Sequence, residues 1–307
     1  MNEYRGKHIS SRPWPTSSGR PVRRGRHQMR NRRRRRWVTL WVILLLMMLA
    51  WPFVEARILS TDRVILPMDD LPLEANHLHV VFVSDIHYGF WYSDIDLNRL
   101  AAHINSLKPD VVLFGGGYGV DIPSAVRFFQ RLPSIHARYA ILGVLGDTDH
   151  GETDYELSTL TDAMRNAGVI PLVNDVHPLR VGTATLYIAG ADDVSSLKSL
   201  SASVSTSDFV ILLSHSPALI PEAQLATDSA GRLGWFDLGL FGHTHGGQIL
   251  FLSDLLGFGE DVPARYRSGW LKENRVNLLI SRGVGTLKIP ARLFCSPQVH
   301  LIELTVN

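Results

Sequence analysis

Cysteine is almost absent from this chain of 307 residues, which contains only Cys295. A single thiol excludes an intrachain disulfide and any metal site built from several cysteines. Cys295 lies in the apolar run Ala-Arg-Leu-Phe-Cys, where a cysteine usually packs in the core. With this length and 45% hydrophobic residues, the chain suits one globular domain of ordinary size with an appendage.

Acidic residues are almost absent from the first 36 positions. This segment has 13 of the 31 lysines and arginines but only one acid, Glu3, whereas residues 37–307 have 18 basic and 28 acidic side chains. Its content of Arg, Ser, Pro and Gly, without apolar periodicity, predicts a disordered basic arm over residues 1–36. The net charge of +2 therefore conceals a strongly basic arm and a mildly acidic remainder.

Charge is absent from residues 37–54, a run rich in Leu, Val, Met and Trp. As a helix this run would be roughly 27 Å long, which is just enough to cross the hydrocarbon core of a bilayer. Five arginines at positions 32–36 precede it, and such charge stays on the cytoplasmic side. We therefore predict a transmembrane helix or signal anchor in a single-pass protein of the cell membrane. Its N-terminus would be cytoplasmic and the domain after residue 54 extracytoplasmic.

Three other uses of this N-terminal region stay open. The apolar run could belong to a cleaved signal peptide, with Val54-Glu55-Ala56 as a poor cleavage site. The paired arginines also fit a twin-arginine export signal. A basic arm can bind nucleic acid or anionic lipid through phosphates. That last use would leave the histidine pattern described below unexplained, so we expect no specific nucleic-acid partner.

Residues 55–77 are predicted to form a linker and an edge strand, and residues 78–307 one α/β domain without internal repeats. Apolar residues three and four apart, such as Leu97, Leu100 and Ile104, indicate amphipathic helices. The predicted helices cover residues 97–110, 124–135 and 159–169. The predicted strands, with the loops that follow them, cover residues 78–87, 110–117, 139–147, 171–174, 184–190, 209–217, 237–247, 277–285 and 299–306.

Aspartate and histidine residues directly follow three of the apolar strands. They are Asp85 and His87 after the first, His215 after the second, and His243 and His245 after the third. Because strand ends of this kind meet at one edge of a sheet, we expect the five side chains to converge. Residues two apart in extended chain point the same way, so each Asp-x-His or His-x-His pair offers two ligands. Mixed imidazole and carboxylate ligands suit Zn, Fe or Mn, which predicts a metal site.

The order of the motifs gives the chain a specific family resemblance. The motifs are Ser-Asp-Ile-His at 84–87, Gly-Gly-x-Tyr at 115–118, Gly-x-x-Asp at 146–149, Ser-His-Ser-Pro at 214–217 and Gly-His-Thr-His-Gly-Gly-Gln-Ile at 242–249. From about residue 78 to its end, the chain resembles the calcineurin-like metallophosphoesterases, in particular their membrane-associated branch with Gly-His-Thr-His-Gly-Gly-Gln. The resemblance implies a four-layer αββα sandwich. It also implies hydrolysis of phosphomonoesters or phosphodiesters by a metal-bound hydroxide.

The resemblance further implies which residues bind which ion. Asp85, His87 and His245 would bind the first metal, and His215 and His243 the second. The expected cofactors are two divalent ions, Mn, Fe or Zn.

The second and third motifs depart from the family pattern at three positions. Gly117 stands where the family has the aspartate that bridges both metals, Asp147 where it has an asparagine ligand, and Thr148 where it has the histidine that steadies the leaving oxygen. An Asp147 carboxylate can still bind a divalent ion, whereas Gly117 offers only backbone, so a single retained ion is the alternative. Asp149 and His150 are the candidate catalytic residues, His150 because it could replace the missing histidine.

Two functions follow from this pattern. In the first, the protein is a metal-dependent phosphoesterase, weakened by these substitutions, whose substrate is a phosphate ester that can be lipid-linked. In the second, it is an inactive relative that binds a phosphorylated or lipid-linked ligand. The predicted anchor favours a lipid-linked substrate, because tethering raises the local concentration of a bilayer substrate. Four aromatic residues directly after the Asp-x-His motif could line an acyl or sugar pocket, or could simply pack within the loop: Tyr88, Phe90, Trp91 and Tyr92.

Overall fold

The computed structural model describes residues 24–249, 252–257 and 262–307, in two units, Met1–Leu49 and Ala50–Asn307. Helix α1, Arg24–Glu55, contains the segment Arg34–Glu55, whose length and mean hydropathy of 2.2 allow it to cross a membrane. The large apolar side chains from Trp37 to Val54 are all exposed. An apolar helix surface of this kind is what a bilayer core covers.

Helix α1 begins earlier than the sequence predicted. Residues 24–36 belong to the helix, although they were predicted as part of a disordered arm because they lack apolar periodicity. Arginine has a high helix propensity, and adding residues to an existing helix is easier than nucleating one. The rest of the predicted arm, residues 1–23, lies outside the described residues.

The second unit contains two six-stranded sheets. In chain order the strands are β1 Ser60–Met68, β2 Leu78–Val83, β3 Val111–Phe114, β4 Ala140–Gly143, β5 Ile170–Pro171, β6 Asp175–Val181, β7 Ala184–Ala191, β8 Val210–Ser214, β9 Leu238–Phe241, β10 Gly269–Glu273, β11 Val276–Ile280 and β12 Gln298–Val306. The first sheet has the order β1-β12-β2-β3-β4-β5, and the second the order β10-β11-β9-β8-β7-β6. Strands β2 to β5 are parallel, as are β7, β8, β9 and β11.

Helices cover the outer faces of both sheets, so the domain has four layers. They are α2 Asp94–Ser106, α3 Ile122–Arg131 and α4 Asp154–Asn166 on the first sheet, and α5 Val194–Ala202 and α6 Ile220–Leu225 on the second; α7 Ser253–Leu256 is a single turn. Val80 and Phe82 of β2 lie in the core between the sheets, while Val81 and Val83 pack against the helices. Burial on both faces explains the unbroken apolar run of this strand. The predicted αββα fold is confirmed.

Several short elements were missed or misplaced by the sequence prediction. Strands β6 and β10 and helices α5 and α6 were not predicted, because elements of five to nine residues are too short for a clear apolar period. The strand predicted at 171–174 overlaps β5 only at Pro171, because the chain turns between β5 and β6 and Asn174 has a φ of 53°. The edge strand predicted within 55–77 corresponds to β1, which pairs with β12 inside the domain fold.

The register of the sheets determines where the motif loops begin. In the first sheet Val83 pairs with Phe114, and Phe114 with Gly143; in the second, Ser214 pairs with Phe241. The loops after β2, β3 and β4, and those after β8 and β9, therefore start level with one another within their sheets. Loops at the carboxyl ends of parallel strands are the usual place for a ligand site in such folds.

Candidate metal centre

The six predicted metal ligands form two groups of three. Within each group, one ligand atom from each residue lies within 4.8 Å of the other two. We call Asp85, His87 and His245 the buried triplet, and Asp147, His215 and His243 the exposed triplet. The fold therefore brings all five strand-end residues together and adds Asp147 to them.

The buried triplet has almost no contact with solvent. The Nε2 atoms of His87 and His245 are 3.0 Å apart, their rings stack with centroids 4.8 Å apart, and Asp85 Oδ1 lies 3.9 Å from His245 Nε2. Burial lowers the pKa of His87 to about 4 and that of His245 well below its usual value. Both rings are therefore neutral at pH 7, the form in which imidazole binds a metal.

The exposed triplet opens to solvent at Asp147, whose side chain is 62% exposed. Its Oδ2 lies 2.7 Å from His243 Nδ1 and 3.8 Å from His215 Nε2, and the hydrogen bond with His243 lowers the pKa of Asp147 to about 2. His215 Nδ1 lies 2.8 Å from the Gly115 carbonyl, which can only accept, so Nδ1 donates. The other ring nitrogen, Nε2, is then the atom left to act as the ligand.

The two triplets are adjacent. His215 Nε2 of the exposed triplet lies 4.0 Å from Asp85 Oδ1 of the buried triplet. The backbone N–H of His243 donates to both Asp85 oxygens, at 2.9 and 3.1 Å. One carboxylate therefore connects the two groups.

Four of the six ligand residues have a left-handed backbone. The φ angles are 55° at Asp85, 47° at His87, 71° at His243 and 51° at His245. This conformation costs a residue with a side chain about 1 kcal/mol or more, and it persists mainly where the surroundings impose it, often at functional sites. The finding corrects the expectation that each pair projects from extended chain, because turns bring the side chains of each pair together.

Glycines enclose the Asp85 carboxylate. A Cβ added at Gly242 would lie 2.7 Å from Asp85 Oδ2, and one added at Gly283 would lie 2.9 Å from the same atom. Neither position can therefore take a side chain without moving the ligand. Two neutral imidazoles and a carboxylate in such a closed corner fit Zn, Fe or Mn.

Gly117 lies beside both triplets. Its φ is 71°, and a Cβ added there would lie 3.1 Å from Asp85 Cα and 3.3 Å from His215 Cε1. A side chain at this position would therefore start between the two groups, where the family's bridging aspartate is expected. The neighbouring departure, Thr148, donates its hydroxyl to the Gly119 carbonyl at 3.0 Å.

Asp149 is fully buried, and its carboxylate accepts hydrogen bonds from backbone N–H groups of two loops. The donors are the N–H groups of Gly117 at 2.7 Å, Gly146 at 2.8 Å and Tyr118 at 3.2 Å. Burial raises the pKa of Asp149 to about 6, against the effect of these donors. Asp149 thus joins the loop after β3 to the loop after β4. The catalytic role predicted for it stays a prediction.

His150 lies on the exposed side of the same loop, where it interacts electrostatically with Asp147 and His215. Partial burial lowers the pKa of His150, and the charge of Asp147 acts in the opposite direction. Its catalytic role stays a prediction.

Sequence reasoning missed Arg292, which is completely buried behind the buried triplet. Its Nε donates to the Gly285 carbonyl at 3.0 Å, and one terminal nitrogen lies 3.5 Å from His245 Nδ1. An arginine inside an apolar run was the available signal, because a charged side chain is rarely buried without a specific role. Arg292 thus supports a predicted ligand from a segment 47 residues away.

The fold and the centre define a class: an α/β protein with two paired sheets and two adjacent ligand triplets at the carboxyl ends of the parallel strands. No protein-family model matches the chain. The chain is 30% identical over 237 residues to YpbG of Bacillus subtilis, covering 74% of this chain and 81% of YpbG. It is 25% identical over 265 residues to the metallophosphoesterase YkuE of the same organism, covering 82% of this chain and 87% of YkuE.

A third relative is the phosphodiesterase YaeI of Escherichia coli, 26% identical over 231 residues, which cover 73% of this chain and 81% of YaeI. The chain thus shares a family with YpbG. It is also similar to relatives named as metallophosphoesterases and as a phosphodiesterase, which supports the family that the motifs predicted.

Proposed function

We propose that this protein is a metal-dependent phosphoesterase, anchored in the cell membrane, that hydrolyses a phosphomonoester or phosphodiester carried by a lipid. The observation that carries the proposal is the pair of adjacent triplets, one of them open to solvent at Asp147. When bound there, two divalent ions would supply Lewis acidity toward a phosphate ester and activate water for attack.

The two triplets and His150 would have separate roles in the reaction. The buried triplet is enclosed by glycines and would hold one ion permanently. The exposed triplet would hold the second ion next to solvent, where a phosphate can approach. His150 would donate a proton to the leaving oxygen, because the hydroxyl of Thr148 is engaged with a backbone carbonyl. Gly117 supplies no carboxylate between the ions, so we expect the second ion to bind more weakly than the first.

Exposed aromatic residues support a lipid substrate. Phe90 is 84% exposed and forms an edge-to-face pair with Trp91, their centroids 4.5 Å apart. Both follow closely after His87, so an apolar chain on the substrate could lie on them while its phosphate reaches the ligands. The arginines before the apolar segment of α1 favour a cytoplasmic N-terminus and an extracytoplasmic domain.

The test uses the full-length chain in detergent micelles with added Mn²⁺. We expect hydrolysis of bis(p-nitrophenyl) phosphate that His243→Ala abolishes and His150→Ala reduces by about 10²-fold or more. A phosphate ester on a lipid in mixed micelles should be hydrolysed more efficiently than its soluble analogue. Equal rates for the lipid ester and its soluble analogue would contradict a lipid substrate but would leave the proposed hydrolase activity standing.

The alternative is an inactive relative that binds a phosphorylated or lipid-linked ligand, and Gly117 is the observation in its favour. It predicts no hydrolysis by the wild-type chain but measurable hydrolysis by the triple variant Gly117→Asp, Asp147→Asn, Thr148→His. That result would reject the hydrolase proposal.

A further inference from the structure

The last turn of helix α1 is bonded to the segment that supports the buried triplet. Glu55, the final residue of the helix, is only 5% exposed. Its carboxylate accepts the backbone N–H of Cys295 at 2.9 Å, that of Phe294 at 3.2 Å and the hydroxyl of Ser296 at 3.1 Å. A buried carboxylate with three donors is a specific attachment, because buried donors left without an acceptor destabilise the fold.

The segment held by Glu55 reaches His245 directly. Cys295 Sγ lies 3.1 Å from the carbonyl oxygen of His245 and 3.4 Å from that of Gly246. A Cβ added at Gly246 would lie 2.7 Å from the same sulfur, so the two segments are in close contact and leave no room for a side chain at Gly246. A shift of Cys295 would therefore move the backbone that carries a ligand.

A second route runs through Arg292 to Asp85. The backbone N–H of Arg292 donates to the carbonyl of Pro52 in α1 at 2.9 Å, and its side chain bonds to the carbonyl of Gly285. The N–H of Gly285 in turn donates to the carbonyl of Asp85 at 2.7 Å. Two of the three residues of the buried triplet are thus connected to the end of the helix.

We propose that Glu55 is a positioning residue for the buried triplet, so that the membrane-proximal end of the anchor helix forms part of the metal centre. The inference rests on the metal role proposed above for Asp85, His87 and His245. It also has a consequence for maturation. A cut after Ala56 would remove Glu55 and Pro52, so the chain keeps its N-terminal helix as an uncleaved anchor.

The test compares full-length chains in detergent micelles: wild type, Glu55→Ala, Glu55→Gln and the control Asp228→Ala. Asp228 is also buried and accepts three backbone N–H groups, from Thr206, Ala230 and Arg232, in another loop. Two quantities are measured: the dissociation constant of the tighter Zn²⁺ ion, by competition with a chelator, and amide hydrogen exchange of the metal-free protein.

In Glu55→Ala we expect weaker Zn²⁺ binding, by about 10- to 100-fold, as for loss of an outer-shell partner. We also expect faster exchange over residues 243–247 and 285–296. Glu55→Gln keeps one acceptor oxygen and should fall between Glu55→Ala and wild type. Asp228→Ala should lower thermal stability and leave both quantities unchanged.

Unchanged exchange over these two segments in Glu55→Ala would overturn the inference, as would a mature protein whose intact mass shows that residues 1–56 have been removed. Failure of the proposed function looks different. A wild-type chain that binds no Zn²⁺ or Mn²⁺ would reject the metal role, while the exchange data would still decide whether Glu55 holds the ligand loops.

Discussion

The buried and the exposed triplet are built from the same two sheets, yet they differ in almost every physical property. The buried triplet is closed by glycines, is in contact with Arg292 and Cys295, and has the residues that the resemblance implies. The exposed triplet contains Asp147, where the resemblance implies an asparagine, and lies next to Gly117, where it implies a bridging carboxylate. The comparison indicates that packing holds the side chains of the buried triplet in place. The side chains of the exposed triplet are held mainly by their contacts with one another.

This difference leads to an asymmetric centre. A ligand held by packing loses little entropy when an ion binds, whereas an exposed side chain must be ordered by the ion itself. We therefore expect two ions of unequal affinity, the tighter in the buried triplet. Substitutions at four positions test this asymmetry.

Asp85→Ala should have the largest effect, because Asp85 connects both triplets. We expect the affinity for each of the two ions to fall by at least about 100-fold, so that the purified protein retains neither. A residue that binds the ion directly should matter more than one that only hydrogen-bonds to a ligand. The free energy of unfolding of the metal-free protein should fall by about 1–3 kcal/mol, because the N–H of His243 loses its acceptor. Metal analysis and urea unfolding measure the two effects. Retention of two ions would contradict the connecting role of this carboxylate.

Asp147→Ala should remove one ion and leave the other. The side chain is 62% exposed, so the free energy of unfolding of the metal-free protein should change by less than about 0.5 kcal/mol. The measurement is a metal count on the dialysed protein, expected to fall from two ions to one. Loss of both ions would show that the buried triplet depends on the exposed one and would break the comparison.

Asp237, which lies outside the metal centre, provides a test of how the free energy of unfolding depends on pH. It directly precedes β9, whereas His243 and His245 follow the other end of that strand. Burial raises the pKa of Asp237 to about 7, so the native state holds a proton that the unfolded chain loses near pH 4. The free energy of unfolding should therefore fall as pH rises from about 4 to 7.

We expect this fall to be about 2 kcal/mol, roughly half of what about 1.4 kcal/mol per pKa unit would give, because the side chain is partly exposed. Asp237→Asn should remove it, which urea unfolding of the metal-free protein at several pH values measures. An equal pH dependence in the variant would assign the effect to other groups.

His243 offers a matched pair of substitutions for the smallest effect. His243→Gly and His243→Ala both remove a ligand, but the backbone φ of 71° suits only glycine. We expect the glycine variant to be more stable by roughly 0.5–1 kcal/mol in the metal-free state, because the left-handed penalty for alanine exceeds the extra chain entropy of glycine. Thermal or urea unfolding measures it. If the alanine variant is the more stable, the backbone at this ligand is not strained.

The ligand set was predictable because each ligand follows an apolar strand. The run from Leu78 to Val83 specifies a strand buried on both faces, and parallel neighbours bring such strand ends to one edge. The left-handed turns at Asp85 and His243 were not predictable in the same way, because period-two alternation describes the strand and not the loop beyond it. The catalytic role predicted for Asp149 came from its place in a motif, whereas its contacts with backbone N–H groups of two loops could not be predicted from the sequence.

The apolar helix, the layered α/β fold and the set of candidate ligand residues could be predicted from the amino-acid sequence alone. These depend on local hydrophobic periodicity and on side-chain chemistry, which are properties of short segments. The resemblance already implied which candidate ligands share an ion. Which triplet is buried, and that Arg292 lies beside His245 and Glu55 against Cys295, became known only from the tertiary structure. Those contacts join residues separated by up to 241 positions, and their energies come from burial and hydrogen bonds that exist only once the sheets have packed.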